Sequence, residues 1–386
     1  MASIHEFIKE EISKLKSENL YRRLRIVENQ NRSLIVDKKK IINFNSNDYL
    51  GLSSNQTIIK NTVKEFDEIS QCSSRLVGGN HLNIEKLEQV LSKHRKTESS
   101  LVYTTGYSAV QGVISTLSDR DTTIFSDELN HASIIDGCRL GNAKIKIFRH
   151  NDTEHLLELL GGVSGKKILV TEGIFSIDGD MSNLNSICNF AKEFGVFTIV
   201  DDAHGDFVFG KNGSGTPSEL KVNNLVDIHI SSLSKALGCF GGYVACNEMV
   251  RDYLINRSRQ FIFTSALPTH LCNSALYAIS IAKKGILQRR LFNNIRFLQN
   301  GLRKIGYDIG NSCSQIIPIH IGSENLAVKF ADKLLQKGIF VYPMRFPTVK
   351  MGCAVLRLSL SASHTKEQLV YTLKELKNIG KKHKVI

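Results

Sequence analysis

"IVDDAHGDF", residues 199–207, runs a β-branched pair straight into two consecutive carboxylates, Asp201 and Asp202, with His204 close behind. Phe197 and Thr198 precede it, so the stretch reads as a buried strand that ends abruptly in charge. Charge at the end of a core strand costs stability unless something pairs with it.

Outward from this stretch, strand-like runs alternate with helical ones. "SSLVYTTG" leads into "YSAVQGVISTL", "TTIFSD" into "LNHASIIDGC", "KKILVTEG" into "LNSICNFAKEF", and "VFTIVDDAHG" precedes "VDIHISSLSK". Units of this length imply crossover connections and a largely parallel sheet, hence an α/β layered fold with helices on both faces. Ligands of such sheets collect at the carboxyl ends of the strands, where the polar clusters 104–107, 127–131, 172–178, 201–204 and 231–235 fall. After about residue 285 the texture changes to a long helical pattern followed by mixed strands and helices. The expected division is an N-terminal helix and arm over 1–45, a large domain over 46–285 and a smaller C-terminal α+β domain over 286–386.

No apolar run approaches the roughly 18 residues that a membrane span requires. Ile4, Phe7, Ile8, Ile12 and Leu15 recur at helical spacing with Glu6, Glu10, Glu11 and Glu18 interleaved, an amphipathic helix rather than an acid-poor transit peptide. Cytoplasm is the expected compartment. The eight cysteines include no C-x-x-C pair, which excludes the common zinc-site spacings. The net charge of +13 is spread along the chain with few aromatics interleaved, so a basic surface is favoured over nucleic-acid binding. Such a surface also suits a polyanionic small molecule.

Two stretches resemble familiar phosphate motifs without meeting them. "GGVSGKK" lacks the gap and the Ser or Thr of a P-loop, and "GCFGG" is not G-x-G-x-x-G. What remains is Lys235 in "VDIHISSLSKALGCFGG", a lysine behind a buried strand and beside small residues. In a low-dielectric site such a lysine loses its charge readily and becomes a nucleophile able to form a Schiff base, although structural lysines are far commoner. Asp201 supplies the complement. A carboxylate facing a pyridine nitrogen keeps it protonated, worth about 4 kcal/mol at ~4 Å and an effective dielectric near 20. Capping of a following turn suits Asp202 better than Asp201.

The ordered set "FNSNDYLGLS", "SSRLVGGNH", "DELNHASIIDG", "VTEGIFSIDGDMSNL", "VDDAHG", "SLSKALGCFGGYV", "FIFTSALP" and "LRLSLSASHT" resembles the α-oxoamine synthase family of fold-type I pyridoxal-phosphate enzymes, over essentially the whole chain. The resemblance implies pyridoxal 5'-phosphate on Lys235, Asp201 at the ring nitrogen, His204 at the phenolic oxygen with Ser176 nearby, and His131 stacked on the ring. For the phosphate it implies Gly106, Tyr107, Ser108 and Ser232, with Thr264 reaching a partner's site in a homodimer. For substrates it implies Asn47 and Arg357, the latter on the amino acid's carboxylate. Ile84 stands where relatives commonly carry His, a local change at the acyl-binding surface. "LYRRLRIVE" and "YPMRFPTVKMG" are most similar to the branch that joins L-alanine to a pimeloyl thioester on the route to biotin, with Arg22, Arg23 and Arg345 near the acyl chain. Coenzyme A and a carrier protein both fit as the thioester's carrier. A glycine C-acetyltransferase-like or serine palmitoyltransferase-like member, and a fold-type I aminotransferase, are the alternatives; neither a nucleic-acid nor a membrane partner is expected.

Overall fold

The computed structural model describes residues 3–27, 34–36 and 39–386. The chain divides into two compact units: one of Asn47–Ser176 and Asp180–Arg290, the other of Met1–Ser46, Ile177–Gly179 and Leu291–Ile386.

The larger unit is built on a seven-stranded sheet. Across it the strands are ordered Ser99–Tyr103, Gly242–Cys246, Ile228–Ser232, Phe197–Asp201, Lys166–Glu172, Thr122–Asp127 and Lys144–Phe148. All neighbours are parallel except Gly242–Cys246, which pairs antiparallel on both sides. That reversal departs from the uniform strand-helix alternation, because Gly242–Cys246 follows its predecessor through a turn with no helical crossover.

Side chains alternate between two buried faces. Ile124, Ile168, Val170 and Ile199 join one core with Val110, Val113, Ile114 and Ile134 from the helices Gly106–Leu117 and Ala132–Leu140. Phe125 and Leu169 join a second core with Leu156, Leu160 and Ile187, and Val200 packs with Leu184 and Cys188. Each fully buried aliphatic side chain contributes about 1.5–3 kcal/mol. The same period of two governs the opening carboxylates: Asp201 continues the Ile199 face, whereas Asp202 continues the Val200 face. Asp202 stays in the ladder, its N–H donating to the Ile230 carbonyl at 2.8 Å.

In the other unit, Ile316–Gly322, Ala354–Ser359 and Tyr342–Met344 form an antiparallel sheet, and Lys39–Asn43 pairs with Leu34–Val36 and, in parallel, with Ile339–Phe340. The arm expected to stand apart over 1–45 therefore clusters with the C-terminal segment. Strand pairing through Lys39–Asn43 and the Arg25–Asp332 ion pair at 3.1 Å tie them together. The boundary near 291 falls inside the helix Ile286–Ile305. The helix Ile4–Ser17 is opened by a capping box between Ser3 and Glu6, and Ile4, Phe7, Ile8, Ile12 and Leu15 are all exposed on it. Among the described residues no helix is long and apolar enough to cross a membrane, and no cluster of ligating side chains could hold a metal. All eight cysteines are free thiols.

Candidate active site

Lys235 lies in the turn after Ile228–Ser232, half-buried, with Nζ 2.8 Å from His204 Nε2. Nδ1 of the same imidazole lies 2.6 Å from the hydroxyl of the buried Tyr49, which donates to Asn47 Oδ1 at 3.1 Å. A continuous polar chain thus runs from Asn47 through Tyr49 and His204 to the lysine. Asn47 and Tyr49 belong to the quoted stretch 44–53, but only Asn47 was expected at the site; Tyr49 reads as a core aromatic because its ring is buried.

The expected phosphate group assembles at the start of Gly106–Leu117. Thr105 caps this helix reciprocally with Ser108, and its first turn presents N–H groups where an anion is favoured. Both polar groups of Ser108 enter that capping box: its hydroxyl contacts Thr105 N–H at 3.1 Å and Thr105 O at 2.9 Å, and its backbone N–H donates to Thr105 Oγ1 at 3.0 Å. Ser232 stands directly beside Gly106: a Cβ added there would lie 3.1 Å from Ser232 Cβ. A Cβ on Gly242 would come within 2.4 Å of Gly106 N, so glycine at 242 is what allows the neighbouring strand to support the turn. Tyr107 is exposed; its hydroxyl donates to Asp136 and its ring meets His131 edge-on at 6.2 Å. Thr264 is half-buried in the turn after Arg259–Ile262 and lines a small cleft with Ile84, which is wholly buried.

Asp201 ends Phe197–Asp201 and accepts the N–H of Ala203 at 3.0 Å. His131 caps Ala132–Leu140, its Nδ1 accepting Ser133 N–H at 3.2 Å, which leaves the ring proton on Nε2. Ser176 is half-buried at the end of the segment following Glu172. Glu172 itself was not expected at the site. It is the register partner of Asp201 on the adjacent strand, is buried, and accepts the backbone N–H of His131. Burial, then the neighbouring Asp201, push its carboxyl well above the usual carboxylate range.

On the opposite face Asp202 has a different task. Arg95, with no exposed side-chain surface, donates to Asp202 Oδ2 at 2.9 Å and to the Tyr243 hydroxyl at 3.0 Å, and pairs with Asp206 at 3.1 Å. His94 Nε2 meets Asp206 at 2.9 Å and its ring stacks on Phe207 at 4.1 Å. Burial pushes Asp202 up to about 6, whereas at Asp206 the Arg95 charge and His94 outweigh burial and hold the carboxyl low. Capping of the adjoining turn falls to Asp201, through Ala203 N–H, and not to Asp202 as expected; Asp202 instead accepts Thr216 N–H, at 3.0 Å, at the start of Thr216–Glu219. Charged residues in "SKHRKTE" read as a solvated helix end, so nothing in the sequence marks Arg95 as buried.

The remaining expected residues belong to the other unit. Arg357 is buried on Ala354–Ser359 and donates to Ser359 Oγ at 2.5 Å. Arg22, Arg23 and Arg345 come together around one cavity of about 530 Å³, with Lys16 and Arg25 adding charge and Asp332 the single carboxylate on its wall among the described residues. Arg345 donates to the Asn19 carbonyl and Arg22 to Thr348 Oγ1 at 3.3 Å.

A model of the family described as aminotransferase class I and II matches residues 39–376. An 8-amino-7-oxononanoate synthase of Thermoanaerobacter pseudethanolicus is 38% identical over the full length of both chains. Among solved structures, a serine palmitoyltransferase of S. paucimobilis carrying a pyridoxal-phosphate adduct of myriocin superposes with a TM-score of 0.92 at 30% identity, over 99% of this chain and 98% of that one. An 8-amino-7-oxononanoate synthase of Francisella tularensis superposes with a TM-score of 0.76 at 29% identity, over 90% of this chain and 99% of that one. The residues present fit pyridoxal phosphate. A capped helix start beside Ser232 suits its phosphate, and Lys235 and Asp201 suit its aldehyde and ring nitrogen. Two buried polar atoms at the strand ends, Glu172 Oε1 and Ser231 Oγ, have no hydrogen-bond partner among the described residues. The chain belongs to the aminotransferase class I and II family of fold-type I pyridoxal-phosphate enzymes and, within it, to the α-oxoamine synthases.

Proposed function

We propose that the chain joins L-alanine to a pimeloyl thioester, releasing the thiol and CO₂ and forming 8-amino-7-oxononanoate for biotin synthesis. The observation that carries this reading is the Lys235–His204–Tyr49 chain beside Asp201, at the strand ends of a protein 38% identical along its length to an 8-amino-7-oxononanoate synthase. Bound pyridoxal phosphate supplies an electron sink for the carbon bearing the amino group. Asp201 would hold the proton on the ring nitrogen, and His204 would bond the ring's phenolic oxygen. Lys235 Nζ removes the proton from the amino acid's α-carbon and returns one after CO₂ has left. Arg357 binds the substrate carboxylate through its planar fork, and Asn47 contacts the substrate. The cationic cavity of Arg22, Arg23 and Arg345 suits the distal carboxylate of a pimeloyl chain or the phosphates of coenzyme A.

The protein works as a homodimer in the cytoplasm on this reading. Leu76, Val77, Tyr107 and Phe263, all large and exposed on the larger unit, support a second copy covering them. The test is thiol release by protein loaded with pyridoxal phosphate, offered L-alanine with pimeloyl-CoA, glycine with acetyl-CoA, and L-serine with palmitoyl-CoA in parallel. Release confined to the first pair is expected. Release confined to either other pair keeps the chemistry and overturns the substrates.

A further inference from the structure

Glu172 is a buried ionisable group to which the chemistry above gives no task. It ends Lys166–Glu172 in register with Asp201, and the alternation Ile168, Val170, Glu172 puts it on the same face as Ile199 and Asp201. Residues in register on adjacent strands have Cβ atoms roughly 5 Å apart, within carboxyl-to-carboxyl reach. One carboxyl oxygen of Glu172 accepts the backbone N–H of His131, and Oε1 is buried with no hydrogen-bond donor among the described residues. Four groups surround it: Asp201 on one neighbouring strand, Asp127 at the end of the other, His131 at a helix start, and Lys235.

Two carboxylates side by side in a water-poor site cannot both stay ionised, since each lone charge there is costly to keep. Each accepts one backbone N–H, Glu172 from His131 and Asp201 from Ala203, but Glu172 is the more deeply buried, whereas Asp201 retains 8% exposure. We infer that Glu172 is a neutral acid whose Oε1–H is donated to the Asp201 carboxylate, so that the pair presents one negative charge of fixed direction to the cofactor's ring nitrogen. Glu172 is in this sense a positioning residue acting through Asp201, and its other oxygen ties the same unit to His131, the expected ring-stacking side chain. Burial, reinforced by Asp201 and only partly offset by Lys235, favours the protonated form.

The inference rests on the reading that Asp201 faces the ring nitrogen, so Asp201→Asn is measured beside the Glu172 variants. Three quantities are read on the loaded enzyme and its apo form: the dissociation constant for pyridoxal phosphate, the pH dependence of the bound cofactor's visible absorption, and the thermal midpoint of the apo protein. Glu172→Gln, which still donates a hydrogen bond and carries no charge, is expected to leave cofactor affinity within about twofold and the absorption titration in place. Glu172→Leu, which donates nothing, is expected to weaken cofactor binding about tenfold, the effect of losing one hydrogen bond to a charged group, and to move the titration. If Glu172→Gln moves the titration as Asp201→Asn does, Glu172 was ionised and the inference falls. If Asp201→Asn moves nothing, the placement of Asp201 falls with it. Should Glu172→Leu fail to fold, an infrared difference spectrum of wild type against Glu172→Gln near neutral pH decides: the carbonyl band of a protonated carboxyl, present in wild type and lost in the variant, is the expected result, and its absence overturns the inference.

Discussion

Replacing Arg95 with Met removes one cation from a cluster that holds two carboxylates, a phenol and an imidazole, all essentially without solvent contact. Met matches the aliphatic stem, so the change isolates the guanidinium. Breaking a buried pair by deleting one partner costs about 3–5 kcal/mol, because the remaining charge stays buried and uncompensated. Here both Asp202 and Asp206 are left so, which favours the upper end. For a unit of this size each kcal/mol moves the thermal midpoint by about 2–4 °C, giving a fall of roughly 6–20 °C. The pH dependence gives the argument its sign. With Arg95 present, Asp206 is held low and Asp202 sits at about 6. Without Arg95 both carboxyls titrate higher, so taking up protons relieves the variant more than the wild type, and the stability gap narrows as pH falls from neutrality toward 5. Urea titrations of both proteins at several pH values measure it. A loss under about 1 kcal/mol at neutral pH, or a gap that widens on acidification, refutes the account of Arg95 as the buried counter-charge. Arg95→Lys keeps the charge without the planar fork and belongs between the two.

Three further outcomes are expected. His150 lies 2.9 Å from both Asp127 and Asp180; burial alone would lower it, but the two carboxylates raise it to about 10 from 6.5. Its contribution, about 1–3 kcal/mol after allowance for solvent screening, is fully present below pH 6.5 and lost as pH rises through 10, so the gap between wild type and His150→Gln should close over that range; a gap that is constant or grows contradicts it. Tyr49→Phe leaves His204 Nδ1 without its 2.6 Å partner, and kcat should fall about tenfold while the apo protein's thermal midpoint moves by only a few degrees. Arg345→Ala and Arg22→Ala should raise KM for the acyl thioester at least several-fold without changing pyridoxal-phosphate affinity, measured by steady-state kinetics and cofactor titration; unchanged KM values would remove the cavity from the substrate's path.

The layered fold could be read from the sequence because its central strands carry apolar runs and its polar clusters recur at strand ends. The quoted motifs led to Lys235, His204 and the Gly106 turn, and the structure brings Lys235 to His204 and Ser232 to Gly106. What stayed hidden depends on long-range pairing. Arg95 and Asp202 are 107 positions apart in sequence, and no local pattern distinguishes a buried arginine from one on a solvated helix end. Glu172 could have been found, since it ends its strand as Asp201 ends the next, but only knowledge of strand order makes them neighbours. The tie between the N-terminal helix and arm and the C-terminal segment was not legible because a single parallel pairing, Ile339 and Phe340 with Ile42 and Asn43, joins segments nearly 300 residues apart.

The alternation of Asp201 and Asp202 across the sheet makes strand register and chemistry a single constraint. Were Phe197–Asp201 to slip by one residue against its neighbours, the two carboxylates would exchange faces. Arg95 would then meet Asp201, and the face of Ile199 would inherit a carboxylate shifted by about 3.3 Å along the strand. Such a slip is penalised twice, once in the core through Ile199 and Val200 and once through the stranded cation. A chain that folds with this strand in place has by the same act aimed the carboxylate proposed to face the ring nitrogen, so a one-residue insertion or deletion between 197 and 202 should yield an unfolded protein rather than a stable, inactive one.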